Sequence, residues 1–131
     1  MIDASVALAW CLGDDTSGHA DFVLTLLGST DAKVPPHWEL EVVNGLMVAE
    51  KHGRLGPGDV DRLAKLLAAL PIDVSAPARG GALSLVRRLA EQHRLSTLDA
   101  AYVELALRGG DQLISMDTAI ANAARREGVG G

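Results

Sequence analysis

The 131-residue chain has little cysteine, few aromatic residues and no excess of basic charge, and each shortage argues against certain classes of protein. The single cysteine, Cys11, cannot form an internal disulfide, which favours a reducing compartment over a secreted disulfide-rich domain. Aromatic residues make up 3% of the chain, so its core must consist mainly of Ala, Leu and Val. The net charge of −5 argues against a protein that holds nucleic acid through a basic surface alone.

Long apolar runs are absent as well. The longest stretch without Asp, Glu, Lys or Arg runs from Ala4 to Gly13 and has ten residues, whereas a membrane helix needs about 20. No basic segment precedes an apolar stretch, so no signal peptide is predicted. We therefore expect a soluble, cytoplasmic protein that has no membrane partner.

Common catalytic signatures are also missing. The chain has no phosphate-binding G-x-x-x-x-G-K-[ST] or G-x-G-x-x-G segment, and no G-x-S-x-G segment around a nucleophilic serine. The four histidines lie singly and form no H-E-x-x-H pair, so no zinc site is predicted. Each histidine is interpreted as a surface or helix-end residue.

Short strand-like segments alternate with helix-like segments along the whole chain. The predicted strands are the chain start up to Ile2, Lys33–Val34, Pro71–Val74 and Gln112–Ser115. The predicted helices are Val6–Leu12 with Ser5 as its cap, Thr16 or Ser17 to Leu27, Pro36–Lys51, Asp59–Leu70, Ala78–His93, Leu98–Leu107, and one from Asp117 or Thr118 to Arg126. This alternation predicts one α/β domain over residues 1–131, with a small, mainly parallel central sheet and helices on both faces. The Pro36–Lys51 helix is apolar around much of its circumference, so we expect it to be heavily buried.

The acidic residues are unevenly placed. Residues 1–50 contain eight Asp and Glu side chains and one basic residue, Lys33. Asp3 and Asp117 each follow a predicted strand, at the carboxyl end where open parallel sheets place their ligand crevice. Glu41 lies inside an apolar helix, and Asp99 lies in the first turn of another. Carboxylates in apolar surroundings are rarely buried unless they are paired or bind a metal.

Each of these acids also has a purely structural interpretation. Asp3 or Asp117 can cap a helix, and Asp99 can interact with a helix dipole. Glu41 is the hardest to explain in this way, because its helix neighbours leave little solvated surface. Position alone does not decide between the structural and the catalytic interpretations.

Four carboxylates in one crevice would need compensating positive charge. Two negative charges about 5 Å apart cost about 3 kcal/mol at an effective dielectric of about 20. Mg²⁺ and Mn²⁺ prefer oxygen ligands and would supply that charge. Such ions also bind phosphodiesters and activate water, so an acidic protein can act on polyanionic RNA.

Six segments, in their order and spacing, carry a resemblance to a known family. They are Asp3–Trp10, Val34–Pro35, Glu41–Leu46, Gly53–Leu55, Leu95–Tyr102 and Leu113–Asp117. Together they resemble the PIN-domain family and, within it, the VapC-type toxins of bacterial toxin–antitoxin pairs. The resemblance implies a PIN-like three-layer α/β/α fold and a Mg²⁺- or Mn²⁺-dependent endoribonuclease.

The resemblance also implies roles for individual residues. The implied catalytic and metal-binding residues are Asp3, Glu41, Asp99 and Asp117, the same four acids that placement had singled out. The implied supporting residues, which hold the acids through hydrogen bonds, are Ser5, Asn44 and Ser115. Ser115 stands where the family more often has Thr, a change that keeps the hydroxyl group.

Partners follow from the same resemblance. It implies an RNA substrate, with tRNA as one candidate, a VapB-type antitoxin whose C-terminal segment blocks the site, and a homodimer. Only Met1 and Ile2 precede Asp3, and the chain stops at Gly131, so we expect shortened first and last strands.

Two other functions remain open at this stage. A PIN-like scaffold without activity could bind protein or RNA, although its acids would then have no reason to be intact. A receiver-like phosphoacceptor domain would need a lysine after its last strands, and no lysine follows Lys65.

Overall fold

A computed structural model describes residues 1–13 and 32–131 of the chain. Six helices and two strands lie in these two ranges. In chain order they are α1 (Ala4–Leu12), β1 (Ala32–Val34), α2 (Trp38–Lys51), α3 (Asp59–Ala68), β2 (Ile72–Val74), α4 (Gly81–His93), α5 (Thr97–Gly109) and α6 (Thr118–Arg126). The helix predicted from Thr16 or Ser17 to Leu27 lies outside the described residues. The mixture of helices with short parallel strands confirms the expected α/β class.

β1 and β2 form a two-stranded parallel sheet, with Lys33 opposite Asp73 at its centre. The Ser75 N–H donates a further hydrogen bond to the Val34 carbonyl at 2.8 Å. Parallel strands need a long crossover connection, and α2 and α3 provide it here.

The beginning and the end of the chain both meet the segment that precedes α6. Ile2 forms an isolated parallel bridge with Ile114, and Gly130 forms one with Leu113. The predicted Gln112–Ser115 strand is therefore reduced to two bridging residues. The Asp3 N–H donates to the Ile114 carbonyl at 3.3 Å, which brings the start of α1 beside the start of α6.

Helix α1 begins two residues earlier than the sequence predicted. Its N-cap is Asp3 rather than Ser5, because the Asp3 carboxylate accepts a hydrogen bond from the Val6 N–H at 3.4 Å. The structural interpretation of Asp3 as a cap is thus correct. A cap uses one carboxylate oxygen and leaves the residue able to take part in a site.

Side-chain caps also begin α5 and α6. The Ser96 hydroxyl accepts from the Asp99 N–H at 3.1 Å at the start of α5. The Asp117 carboxylate accepts from the N–H groups of Ala119 and Ile120, at 2.9 and 3.1 Å, at the start of α6. Asp99 and Asp117 therefore both lie at the positive ends of helices.

The core is built mainly from small aliphatic side chains, as the composition predicted. Its largest fully buried members include Tyr102, Ile2, Leu46, Leu89 and Leu113. None of the helices within the described ranges is long and apolar enough to cross a bilayer.

The expectation that α2 is heavily buried is wrong. One stripe of the helix faces the core, through Trp38, Val42, Leu46 and Ala49. The opposite face carries Leu40, Met47 and Val48, whose exposed fractions are 74%, 57% and 49%. Helices α1 and α3 pack against α2, and these apolar side chains remain exposed on its other face.

A glycine of α2 lies against a leucine side chain of α1. A Cβ atom at Gly45 would lie 2.5 Å from Cδ1 of Leu8, closer than carbon atoms pack. The missing side chain thus leaves room for Leu8 where α1 and α2 pack together.

Candidate active site

The four acids singled out from the sequence line one cavity of about 280 Å³. They come from four different places in the fold. Asp3 caps α1, Glu41 lies on α2, Asp99 lies in the first turn of α5, and Asp117 caps α6. Glu41 also lies in the first turn of its helix, so four helix N-termini meet here, and their dipoles favour negative charge.

Asp3 is the most enclosed of the four, with 2% of its surface exposed. The Ser5 hydroxyl donates to its Oδ1 at 2.5 Å, and the Ser115 hydroxyl donates to its Oδ2 at 2.5 Å. Each hydroxyl in turn accepts a backbone N–H at 2.9 Å, Ser5 from Met116 and Ser115 from Asp117. This network holds the carboxylate in one orientation and ties the start of α1 to the start of α6.

Burial raises the pKa of Asp3 above its ordinary value of 3.8. Hydrogen bonds from Ser115, Ser5 and the Val6 N–H lower the pKa, and the nearby negative charge of Asp117 raises it. The balance leaves the charged form of Asp3 less favourable than in water. No Lys or Arg within the described residues forms an ion pair with Asp3, so the protein itself does not neutralise this charge.

Asp99 and Asp117 are more accessible. Asp117 is exposed and uses Oδ1 for its cap, while its Oδ2 accepts no hydrogen bond from a described residue. Asp99 is half-buried, and its carboxylate accepts none within the described ranges. Both side chains therefore retain oxygen atoms that a ligand could use.

Glu41 is held by a hydrogen bond from another helix. The Tyr102 hydroxyl donates to Glu41 Oε1 at 2.5 Å, and Nε2 of His37 lies 3.6 Å from the same oxygen. Burial, followed by the hydrogen bond and the charge of Glu41, raises the pKa of Tyr102. The tyrosine hydroxyl therefore stays protonated and acts as a donor.

Comparison with models of protein families gives a match to the PIN domain over residues 1–126. The chain belongs to the PIN-domain family. PIN domains are generally nucleases, which supports a hydrolase that acts on nucleic acid and confirms the expected PIN-like α/β fold. The match is to the PIN domain in general and does not separate VapC-type toxins from other members. No curated protein matches the chain.

PIN domains typically use divalent metal ions, and the donors in this cavity fit such ions in their chemistry. Four carboxylates supply only oxygen ligands, as Mg²⁺ and Mn²⁺ prefer. The buried charge of Asp3 and the unpartnered oxygens of Asp99 and Asp117 would also gain from a cation. In the described chain, however, no three His, Cys, Asp or Glu side chains are grouped closely enough to form a complete metal site. The cavity brings the acids to one place without closing them around an ion.

The three supporting residues behave differently. Ser5 and Ser115 donate hydrogen bonds to Asp3. Asn44 is exposed and lines the same cavity, but within the described ranges it makes no hydrogen bond to any of the four acids. The role of Asn44 in this PIN domain therefore stays a prediction.

Two residues of the site were missed from the sequence. His37 was interpreted as a surface or helix-end residue, and Tyr102 was part of a resembling segment without a role. Helical spacing could have indicated both residues, because side chains three or four residues apart share a helix face. Asp99 and Tyr102 are three residues apart, and His37 and Glu41 are four apart.

Proposed function

We propose that this PIN domain is a Mg²⁺- or Mn²⁺-dependent endoribonuclease. One observation carries the proposal: carboxylates from four distant segments, Asp3, Glu41, Asp99 and Asp117, line one cavity. A fold has little reason to assemble four acids that no described Lys or Arg neutralises unless a cation joins them. The family membership makes a nuclease the reaction class that fits this arrangement best.

The four carboxylates would hold the cation, which would neutralise phosphate charge and lower the pKa of the attacking water. In the hydrolysis, the water oxygen would bond to phosphorus and lose a proton to solvent, while the bond from phosphorus to the 3′ oxygen would break and that oxygen would take up a proton from solvent. The products are a 5′-phosphate and a 3′-hydroxyl.

The chain's own part in this reaction is to fix the acids in place. Ser5 and Ser115 orient both oxygens of Asp3, and their hydroxyls are themselves fixed by backbone N–H groups. The cap hydrogen bonds fix Asp117 through Oδ1 and leave Oδ2 for the cavity. Such preorganisation spares the site the cost of ordering its ligands when substrate arrives.

The proposal extends to partners through the resemblance to VapC-type toxins. It includes RNA as substrate, with tRNA as one candidate, a VapB-type antitoxin that blocks the site, and a homodimer. The exposed apolar side chains Leu40, Met47 and Val48 support a partner surface, because they lie on the helix that carries Glu41. A short neighbouring reading frame that encodes a DNA-binding protein would support the toxin role.

The test is a cleavage assay on RNA and on single-stranded DNA with Mg²⁺ or Mn²⁺. We expect Asp3→Asn and Asp99→Asn each to reduce RNA cleavage by more than about 100-fold. Substitution of residues that only hydrogen-bond to metal ligands already lowers metal affinity or activity by about 10–100-fold. Asp61→Asn is the matched control, because Asp61 is exposed on α3 and, among the described residues, forms its ion pair with Lys65. If folded Asp3→Asn protein cleaves as well as the parent, the assignment is wrong.

A PIN-like scaffold without activity is the alternative function, and no observation on this structure favours it. It predicts that millimolar Mg²⁺ or Mn²⁺ leaves the melting temperature of the wild-type protein unchanged. It also predicts that RNA stays intact under all of the assay conditions above.

A further inference from the structure

Helices α2 and α5 carry two of the proposed ligands, Glu41 and Asp99, but they share no extensive helix–helix packing in the described structure. Helix α2 packs against α1 and α3, whereas α5 packs against α4 and α6. Side chains that cross between the two helices are therefore the direct links between the part of α2 that carries Glu41 and the part of α5 that carries Asp99.

Tyr102 provides the first of these links. Its ring belongs to α5 and is 1% exposed, and its hydroxyl donates to Oε1 of Glu41 on α2 at 2.5 Å. The Glu41 side chain itself is 30% exposed. A buried, rigid donor thus holds a flexible and partly solvated carboxylate.

His37 provides the second link. Its Nε2 lies 2.9 Å from the Leu98 carbonyl, and because a carbonyl only accepts, the proton of this bond is on Nε2. That proton is therefore engaged with Leu98 and not with Glu41. The His37 ring also meets the Tyr102 ring edge to face, with centroids 5.2 Å apart and planes at 74°. His37, at the start of α2, thus fixes both the junction with α5 and the ring of Tyr102.

We propose that Tyr102 is the positioning residue of Glu41, and that His37 fixes Tyr102 in that role. This inference rests on the proposed function, in which Glu41 is one of the ligands of the cation. A glutamate side chain loses rotamer freedom when it is ordered, and a hydrogen bond made before the cation binds removes part of that cost. Tyr102 occupies Oε1 and leaves Oε2, which accepts no hydrogen bond from the described residues, for the cation.

The experiment is a titration of the full chain with Mn²⁺, followed by electron paramagnetic resonance without RNA. Tyr102→Phe removes only the hydroxyl group and keeps the ring that fills the core. We expect it to weaken Mn²⁺ binding by about 10-fold or more, the usual cost of losing a group that orients a ligand. In a Glu41→Gln background the same substitution should change Mn²⁺ affinity little, because the charged partner is already gone.

Val103→Ala is the control for a purely structural effect. Val103 is fully buried on α5 next to Tyr102 and takes no part in the cavity lining. We expect this variant to melt at a lower temperature and to bind Mn²⁺ like the wild type. His37→Phe, which keeps an aromatic ring but loses the bond to Leu98, should weaken Mn²⁺ binding by less than Tyr102→Phe does.

The outcomes separate this inference from the proposed function. If the wild type binds no Mn²⁺, the proposed function is wrong and the positioning role is wrong with it. If wild type binds Mn²⁺ and Asp3→Asn does not, but Tyr102→Phe binds like wild type, only the positioning role is overturned. Equal losses in Tyr102→Phe and Val103→Ala would likewise overturn it, since they would reflect general loosening of α5.

Discussion

Two carboxylates in the described chain, Asp3 and Glu104, are almost completely buried, at 2% and 1% exposure, but they are stabilised in different ways. Glu104 lies on α5 and accepts a hydrogen bond at 3.0 Å from Nε of Arg108, one helical turn later. Asp3 has two serine hydroxyls and a backbone N–H as donors, and no basic partner within the described residues. The protein therefore neutralises one buried charge and leaves the other uncompensated.

The difference separates a structural acid from a candidate ligand. Glu104 does not line the cavity of the four acids, and its Oε1 is buried without a hydrogen-bond partner among the described residues. Its negative charge is offset by Arg108, whose side chain is 41% exposed. Asp3 faces the cavity beside Asp117, a second negative charge that raises its pKa. A carboxylate that is buried, oriented and unneutralised is what a cation site needs before the cation arrives.

Removal of the basic partner should have the largest effect on stability. In Arg108→Met, Glu104 keeps its buried charge and loses its only described donor, so we expect the free energy of unfolding to fall by about 2 kcal/mol. Urea denaturation measures this loss. The control is Arg87→Met, whose ion pair with Glu91 is largely exposed and should contribute less than about 1 kcal/mol. If Arg108→Met and Arg87→Met lose the same free energy of unfolding, Glu104 depends on its arginine no more than a surface acid does, and the comparison is wrong.

A smaller effect should appear in the pH dependence of the metal-free protein. Because the folded pKa of Asp3 is above its ordinary 3.8, folded protein holds this proton to higher pH than unfolded protein. The contribution of Asp3 to stability is therefore full below pH 3.8 and is lost as pH rises through the folded pKa.

Asp3→Asn should isolate this contribution. The free energy of unfolding of the variant, relative to wild type, should rise across that pH window and stay level above it. Urea denaturation in the presence of EDTA at a series of pH values measures the difference. A difference that falls with rising pH would mean that the pKa of Asp3 is lowered in the fold.

The same comparison shows how far sequence reasoning reached. Asp3 and Asp117 could be placed together because both follow strand-like segments whose carboxyl ends share one edge. Glu104 could not be recognised as buried, because an acid four residues before an arginine is also the usual pattern of an exposed helix surface. Burial of the Glu104 carboxylate depends on how α5 packs, which the pattern of one helix does not contain.

Helix α2 gives the opposite case, in which the sequence predicted burial that the structure does not show. Its apolar residues surround much of the helix, so the sequence predicted deep burial. In the structure only one stripe of the helix is fully buried, and Leu40 remains 74% exposed. Glu41 was singled out for its apolar neighbours, whereas what holds it is the hydroxyl of Tyr102 from another helix. Contacts between distant segments determine both the burial of Glu104 and the position of Glu41, and the pattern of a single helix does not contain them.

The cation site at Asp3 is tested most directly by the melting temperature of wild type and Asp3→Asn, each with EDTA and with Mn²⁺. Asparagine is also a good helix cap, so the variant should keep α1 intact. We predict that at neutral pH with EDTA Asp3→Asn melts above wild type, because it lacks the uncompensated charge. We also predict that Mn²⁺ raises the melting temperature of wild type and leaves that of Asp3→Asn unchanged. Equal stabilisation of both proteins by Mn²⁺, or of neither, would contradict a cation site at Asp3.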